Sequence, residues 1–449
     1  MLLKVPMGCV ISHRLDGRTQ RAALSTLFLF GFMNLALAQS PPPPLDIPAP
    51  APLTADPETI AWNGWLLYPE LGLRGVWSDN LFQSPFNPID ATGYSFEPKL
   101  LAKWTNGIHS TTLYGGMVRT IYPGQNSLNT SDRRAGFIQQ YEPLRDLKFS
   151  VQADYDHRTN TSSFINGIPR ALDQPGAPPP PTPALNVTDH TVARNPADTF
   201  TATTTVEKLL NRGIIRLAGS VARTEYEETP SRDFTVKNFN GSVAHWLGPV
   251  FYAFSDGTFA SYDDSNVYRA LAGIGTRQFG LFSASGYFGH QETEVTSTGK
   301  SGTSGSAGGA IFGGRLFYFP TPDLTVSLGV DETINDSSIT SSRLALDQPV
   351  QSSLVIPVTD STRVTAASLQ ISKIISQQWA IFPRFGMTHV DYIDSRRYSD
   401  AWFADVVLNY QMTRKLTLSW EYQFTAIDSN IPLTSSERHY FETNATYKF

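Results

Sequence analysis

Phe441, Thr443, Ala445, Tyr447 and Phe449 alternate with Tyr440, Glu442, Asn444, Thr446 and Lys448 up to the end of the chain. A period of two puts the two sets on opposite faces of a β-strand, one mostly apolar and aromatic, the other polar. The pattern recurs. Leu416, Leu418, Trp420, Tyr422 and Phe424 oppose Lys415, Thr417, Ser419, Glu421, Gln423 and Thr425. Leu324, Val326, Leu328 and Val330 oppose Thr325, Ser327, Gly329 and Asp331, and Phe149, Val151, Ala153 and Tyr155 oppose Ser150, Gln152, Asp154 and Asp156. Alternation and turn signals mark about eighteen such segments. They run over 66–78, 92–104, 108–122, 132–142, 147–157, 198–209, 213–226, 234–246, 249–261, 266–279, 281–296, 306–319, 323–335, 361–375, 378–392, 398–411, 415–427 and 436–449.

The connections alternate in length. Thr413-Arg414, Ser376-Gln377, Phe279-Gly280 and Leu247-Gly248 are short, whereas His157–Ala197, Ser297–Gly305 and Asn335–Asp360 are long. Barrels of the bacterial outer membrane have short periplasmic turns and longer extracellular loops, so the rhythm predicts an even strand count with both ends periplasmic. A small soluble barrel would turn its apolar face inward. Eighteen strands enclose a lumen too wide to fill with side chains, so the apolar face must look out at lipid. The fold class is therefore all-β, a transmembrane antiparallel up-and-down barrel of about eighteen strands, with sixteen as the alternative.

The amino terminus agrees with export. Arg14, Arg18 and Arg21 precede or open the apolar run to Leu37, and Ala36-Leu37-Ala38 is a small-x-small cleavage pattern before Gln39. This is the layout of a cleaved signal peptide over residues 1–38. Residues 39–64 read as a proline-rich periplasmic lead-in, extended and solvated, and 65–449 as the barrel. The lead-in is too short and proline-rich to fold as a plug, which weighs against plugged transporters of about 22 strands. Past the signal there is no apolar run long enough for a spanning helix.

The only cysteine, Cys9, leaves with the signal, which excludes disulfides and thiol chemistry from the mature protein. Loss of Lys4, Arg14, Arg18, Arg21 and Asp16 makes the mature chain more acidic than the formal −5 of the whole. An acidic chain with no basic block argues against nucleic acid as a partner. His109, His157, His190, His245, His290, His389 and His439 are scattered and read as isolated surface or lumen residues, so no metal is assigned. No G-x-S-x-G elbow occurs, and the expectation is a non-enzyme with no cofactor. Gly299–Gly314 lacks the order of a phosphate loop and reads as a loop entering a strand of small side chains. The proline-rich part of the loop 159–196, from Pro175 to Ala184, could fold inward or stand outside.

Charges on the polar faces are the candidate pore lining: Lys99, Lys103, Arg216, Arg269, Arg315 and Arg384 of one sign, Asp331, Asp405 and Glu421 of the other. Charge on a water-filled lumen biases the passage of ions and solutes. The plainer reading is solvated lumen residues that pair across strands for structure. A mixed set predicts weak selectivity.

The opening strand contains Tyr68-Pro69-Glu70-Leu71-Gly72-Leu73 and leads to Trp77-Ser78-Asp79-Asn80-Leu81-Phe82. A later block runs from Ala272-Gly273-Ile274-Gly275 through Ser285-Gly286-Tyr287 to Thr321-Pro322-Asp323-Leu324. From about Trp65 to Phe449 the chain resembles the family called Putative beta-barrel porin 2, which typically opens on a P-x-L strand and an Asp-Asn-Ile/Leu-Phe motif. Ser78 stands where that family often has an acidic residue. The resemblance implies an outer-membrane barrel with a porin-like role, and some members are associated with exopolysaccharide export. It carries over no catalytic residues. The expected function is passive diffusion of small hydrophilic solutes. The alternatives are a barrel for polysaccharide export or envelope assembly, and a structural surface barrel without transport. The expected partners are outer-membrane lipid and the barrel-assembly machinery, the latter through Phe441, Tyr447 and Phe449 of the last strand. A homo-oligomer is compatible with the reading, although no sequence feature marks a subunit face.

Overall fold

The computed structural model describes residues 59–81, 88–159, 196–227, 233–263, 265–295, 306–335, 362–393, 396–430 and 435–449. The signal region, the lead-in up to residue 58 and the loop over 160–195 lie outside the described residues. Apart from one short 3₁₀ turn at Asn126–Leu128, the regular structure of the described residues is β. The strands are β1 (Ile60–Trp62), β2 (Trp65–Ser78), β3 (Ala91–Thr105), β4 (His109–Ile121), β5 (Thr130–Leu144), β6 (Leu147–Arg158), β7 (Ala197–Leu210), β8 (Gly213–Tyr226), β9 (Phe234–Trp246) and β10 (Phe251–Ser261). They continue as β11 (Ser265–Thr276), β12 (Phe282–Val295), β13 (Ser306–Thr321), β14 (Leu324–Asn335), β15 (Thr362–Ile374), β16 (Trp379–Tyr392), β17 (Tyr398–Gln411), β18 (Leu416–Ser429) and β19 (Ser436–Lys448).

From β2 to β19 each strand pairs antiparallel with its sequence neighbours, and β19 returns to β2 to close the ring. The barrel thus has eighteen strands, as the alternation predicts, and sixteen is excluded. The links at the end that holds both termini, the periplasmic side, are all short, and the long links lie at the other rim, where the connection over 262–264 is the exception in being as short as a periplasmic turn. With strands about 4.8 Å apart and tilted by about 40°, a ring of this size has a backbone diameter of roughly 36 Å.

The lead-in reading needs one correction. Ile60–Trp62 is not merely extended: it forms β1, which folds back on β2 with Trp62 opposite Trp65. Asn63 and Gly64 make the turn, with φ of 47° and 84°. Two consecutive positive φ values define the two-residue hairpin turn that an Asn-Gly pair favours, because its twist matches that of the strands. Its partner stretch on β2, Trp65–Leu67, lies beyond the end of β19, whose pairing stops at Lys448 opposite Glu70.

Burial orients the faces. Leu73, Phe96, Phe137, Phe200, Phe239, Phe288, Leu328, Phe385, Trp402 and Phe441 are all exposed, and the register carries this exposed apolar set around the ring. So large a continuous apolar surface is not tolerated in water and fits lipid. Near the periplasmic turns the outward rings pair: Phe282 with Tyr318 at 4.8 Å, Trp379 with Tyr410 at 4.4 Å, and Tyr447 with Phe449 at 5.0 Å. Toward the other rim, Tyr155 meets Phe200 at 5.0 Å and Phe259 meets Tyr268 at 5.1 Å. Aromatic girdles at both interfaces are the expected boundary of an apolar band about 25 Å tall.

Two irregularities trace to proline. The ladder shifts between Tyr141 and Leu144 and again between Tyr318 and Thr321, flanking Pro143 and Pro320. Proline has no N–H to give the ladder, so it sits at bulges. Inside, large rings lean over glycines on the neighbouring strand. Phe403 lies opposite Gly386 and Tyr287 opposite Gly313, where an added Cβ would overlap the ring. Ring and bare backbone fill one another's space, the aromatic rescue of glycine in sheets.

At the periplasmic rim two turns repeat one device. Asp146, in the turn between β5 and β6, takes a hydrogen bond of 2.5 Å from Lys208 of β7, while its carbonyl accepts from the Leu209 N–H at 2.7 Å. Asp323, between β13 and β14, takes a bond from Lys373 of β15, and its carbonyl accepts from the Ile374 N–H at 2.8 Å. Each turn is tied to the following hairpin.

Gly386→Ala should destabilise the barrel by about 1–3 kcal/mol through overpacking against Phe403. Urea unfolding in detergent micelles would read this, and Phe403→Ala added to Gly386→Ala should recover part of the loss. The hydrogen bond from Lys373, with a second from Thr321, holds the Asp323 carboxyl down at about 2 from an ordinary 3.8. A folded value below the unfolded one stabilises above the unfolded range, and the gain is lost as pH falls through the folded value. Asp323→Asn should therefore melt slightly below wild type at pH 7, with the two converging below about pH 2.

Candidate functional site: the barrel lumen

The polar set on each strand is turned inward by the same register that turns the apolar set outward. Lys99 shares its face with Glu97 and Lys103, and its cross-strand neighbour is Glu70. Arg216 lies opposite Glu207 on β7 and Ser242 on β9. Arg269 lies opposite Thr258 and Gln291. Arg315 lies opposite Ser285 and Gly329, and Asp331 opposite Gly313 and Ala366. Arg384 lies opposite Gln370 and Asp405, and Glu421 opposite Val407 and Glu442. All nine charged residues read from the alternation thus fall on the inward face. Phe441, Tyr447 and Phe449 fall on the outward face and are exposed.

Most inward charges are held against the wall by partners. Arg74 bridges Glu97 at 2.7 Å and Glu442 at 3.5 Å, Lys99 reaches Glu97 at 3.6 Å, and Tyr440 donates to Glu442 at 2.7 Å. This network spans β3, β2 and β19 and so crosses the closing pair. Around the ring, Arg134 pairs with Asp154 at 3.1 Å, and Tyr114 and Gln152 also donate to Asp154. Arg216 donates to Glu207 through two nitrogens, at 2.9 and 2.5 Å. Asp256 lies 3.7 Å from Arg269 and accepts from Asn240 at 2.7 Å. Arg384 pairs with the buried Asp405, Tyr287 donates to Asp331, and Arg438 donates to Gln423 at 2.9 Å. The partner carboxylates Glu97, Asp154, Asp256 and Glu442, like Arg74, were missed as candidates. Period-two alternation would have placed them on the inward face, but which charges meet across strands depends on register, which the sequence does not display.

Two cations differ from the rest. Lys103 has its ammonium 5.6 Å from the centre of the Tyr68 ring, a weak cation–π contact. Arg315 has neither a carboxylate nor a hydrogen-bond partner among the described residues, and glycine and serine flank it on both neighbouring strands. It faces inward and is partly exposed. The described histidines, His109, His157, His245, His290, His389 and His439, all project outward by register. The described part of the lumen therefore has no imidazole with which to hold a metal or change charge near neutral pH.

An eighteen-strand ring with an apolar exterior, aromatic girdles and a charged interior is an outer-membrane β-barrel of the porin type. The family profile described as Putative beta-barrel porin 2 matches residues 55–449, and the chain belongs to that family. Among solved structures, the outer membrane protein OpdK from Pseudomonas aeruginosa aligns at 10% identity with a TM-score of 0.47, covering 85% of this chain and 99% of that one. OpdO from the same organism aligns at 12% identity and a TM-score of 0.47, covering 85% of this chain and 97% of that one. OccAB3 from Acinetobacter baumannii aligns at 13% identity and a TM-score of 0.47, covering 85% and 99%. No curated protein matches the chain.

Arg384→Met should destabilise the barrel by about 3–5 kcal/mol, because it strands the buried Asp405 charge. Adding Asp405→Leu should restore most of that stability. Urea unfolding monitored by tryptophan fluorescence would measure both, and equal instability of the single and double variants would show that the pair itself matters little.

Proposed function

We propose that the mature protein is a passive diffusion channel for small hydrophilic solutes, exported by a cleaved signal over residues 1–38 and inserted through recognition of its last strand. The observation that carries this reading is the interior. In a ring about 36 Å across, the inward cations Arg74, Lys99, Arg134, Arg216, Arg269 and Arg384 are paired with carboxylates of the wall. Side chains so held line the perimeter with polar groups and leave space within it. Near-balanced charge of this kind supports weak selectivity, with Lys99, Lys103, Arg216, Arg269, Arg315, Asp331, Arg384 and Glu421 as the pore lining. The exposed Phe441, Tyr447 and Phe449 support a terminal strand that the barrel-assembly machinery can recognise before closure.

Single-channel conductance of the refolded mature protein in a planar bilayer tests the reading. A steady current that scales with salt is expected. Because Arg315 has no carboxylate partner among the described residues, Arg315→Gln should move the reversal potential in a salt gradient toward cation preference. Arg216→Gln should move it the same way, since it uncovers the Glu207 carboxylate, whereas adding Glu207→Gln should cancel that shift. No current from a folded barrel would overturn the passive channel and favour partner-gated polysaccharide export or a structural role.

A further inference from the structure

Among the described residues, one cluster of metal-ligating side chains lies outside the lumen. On the outward face at the extracellular end, the register sets Arg133 beside His157, His157 beside Asp198, and Asp198 beside Glu225. Glu227 follows two residues later on the same face, its N–H bonded to the Pro196 carbonyl at 2.9 Å. His157 Nδ1 lies 2.9 Å from Asp198 Oδ1 and 4.0 Å from Glu227 Oε1, and one ligand atom from each of the three residues falls within 4.8 Å of the others. The Tyr155 hydroxyl donates to Asp198 at 2.7 Å and orients its carboxylate.

We propose that His157, Asp198 and Glu227 bind a divalent transition metal of the zinc class. A tetrahedral ion with bonds of about 2.0–2.2 Å keeps its ligand atoms roughly 3.3–3.6 Å apart. The separations from His157, 2.9 and 4.0 Å, bracket that range, and the third, within 4.8 Å, has to close by side-chain rotation on binding. One imidazole and two carboxylates suit zinc, cobalt or manganese better than calcium, which takes six to eight oxygens. Three protein ligands leave a fourth position for water or an anionic oxygen. That position opens on a cleft of about 430 Å³ lined by Arg119, Arg133, Ser131 and Thr159. The two arginines oppose a bare cation and favour an anion beside it, so the expected affinity is modest. The site lies one outward-facing position above the Tyr155 and Phe200 rings, at headgroup level. His157 and Asp198 flank the long connection between β6 and β7, and Glu227 begins the one after β8. The ion would staple the bases of two extracellular loops from the outside.

The test is titration of the full mature barrel, folded in detergent micelles, with zinc by calorimetry and with cobalt by visible absorption. The expected result is one saturable site and the intense bands of tetrahedral cobalt. His157→Ala, Asp198→Asn and Glu227→Gln should each weaken binding at least as much as the roughly 10–100-fold typical of losing a supporting partner. His290→Ala, which alters an outward histidine elsewhere on the ring, should leave binding unchanged. Heat-modifiable gel mobility identifies folded protein, and His157→Gln replaces the alanine variant should the latter misfold. Absence of saturable zinc uptake by folded wild type overturns the proposal. So does a folded His157 variant that binds as tightly as wild type.

Discussion

Pairing of the last strand with the second is the interaction on which the rest depends. An open sheet in lipid would leave a row of N–H and C=O groups with neither water nor backbone partners, at several kcal/mol for each group. Closure removes both edges at once, and only then do the apolar and polar faces of every strand acquire distinct surroundings. The ladder from Glu70 to Ser78 along β19 is reinforced inside by Arg74, which holds Glu97 of β3 and Glu442 of β19 together. Charge cements the joint where chain connectivity does not: β19 and β2 meet across nearly the whole sequence, with none of the local turns that hold the other pairs.

Closure also explains the interior. A small barrel fills its centre with side chains, but a ring this wide cannot. Its inward residues must find partners sideways along the wall, and they do, through carboxylate–guanidinium pairs, tyrosine–carboxylate bonds and rings laid over glycine. Packing is thus two-dimensional, which is why the sequence carries glycine and large aromatics at neighbouring inward positions. Arg315 departs from this rule, with no carboxylate of the wall against it among the described residues.

Much of this was legible in the sequence. The alternation at 415–425 and 441–449 announces strands outright, and the short links at Thr413-Arg414 and Ser376-Gln377 coincide with real turns between β18 and β17 and between β15 and β16. Lys99, Lys103 and Arg384 could be placed on the polar face because parity alone decides it. Their partners could not be placed. That Arg384 meets Asp405, or Arg74 meets Glu442, follows from ladder offsets, and a shift of one residue would reverse every face. The β1 hairpin was hidden for a different reason: three residues after a proline-rich stretch give no periodicity to read, and only the Asn63-Gly64 pair hints at a reversal.

That hairpin has a mechanical consequence. The edge of β2 that β19 faces is finite, and β1 takes Trp65–Leu67, the portion below the end of the last strand. For β19 to slip two residues toward the periplasm it would have to displace β1 and lose the hydrogen bonds that β1 makes. The slope at which the strands wind around the axis, and with it the bore of the cylinder, depends on the offset accumulated around the ring. A three-residue strand at the rim thus serves as a doorstop, setting the gauge of the whole pipe from outside its wall.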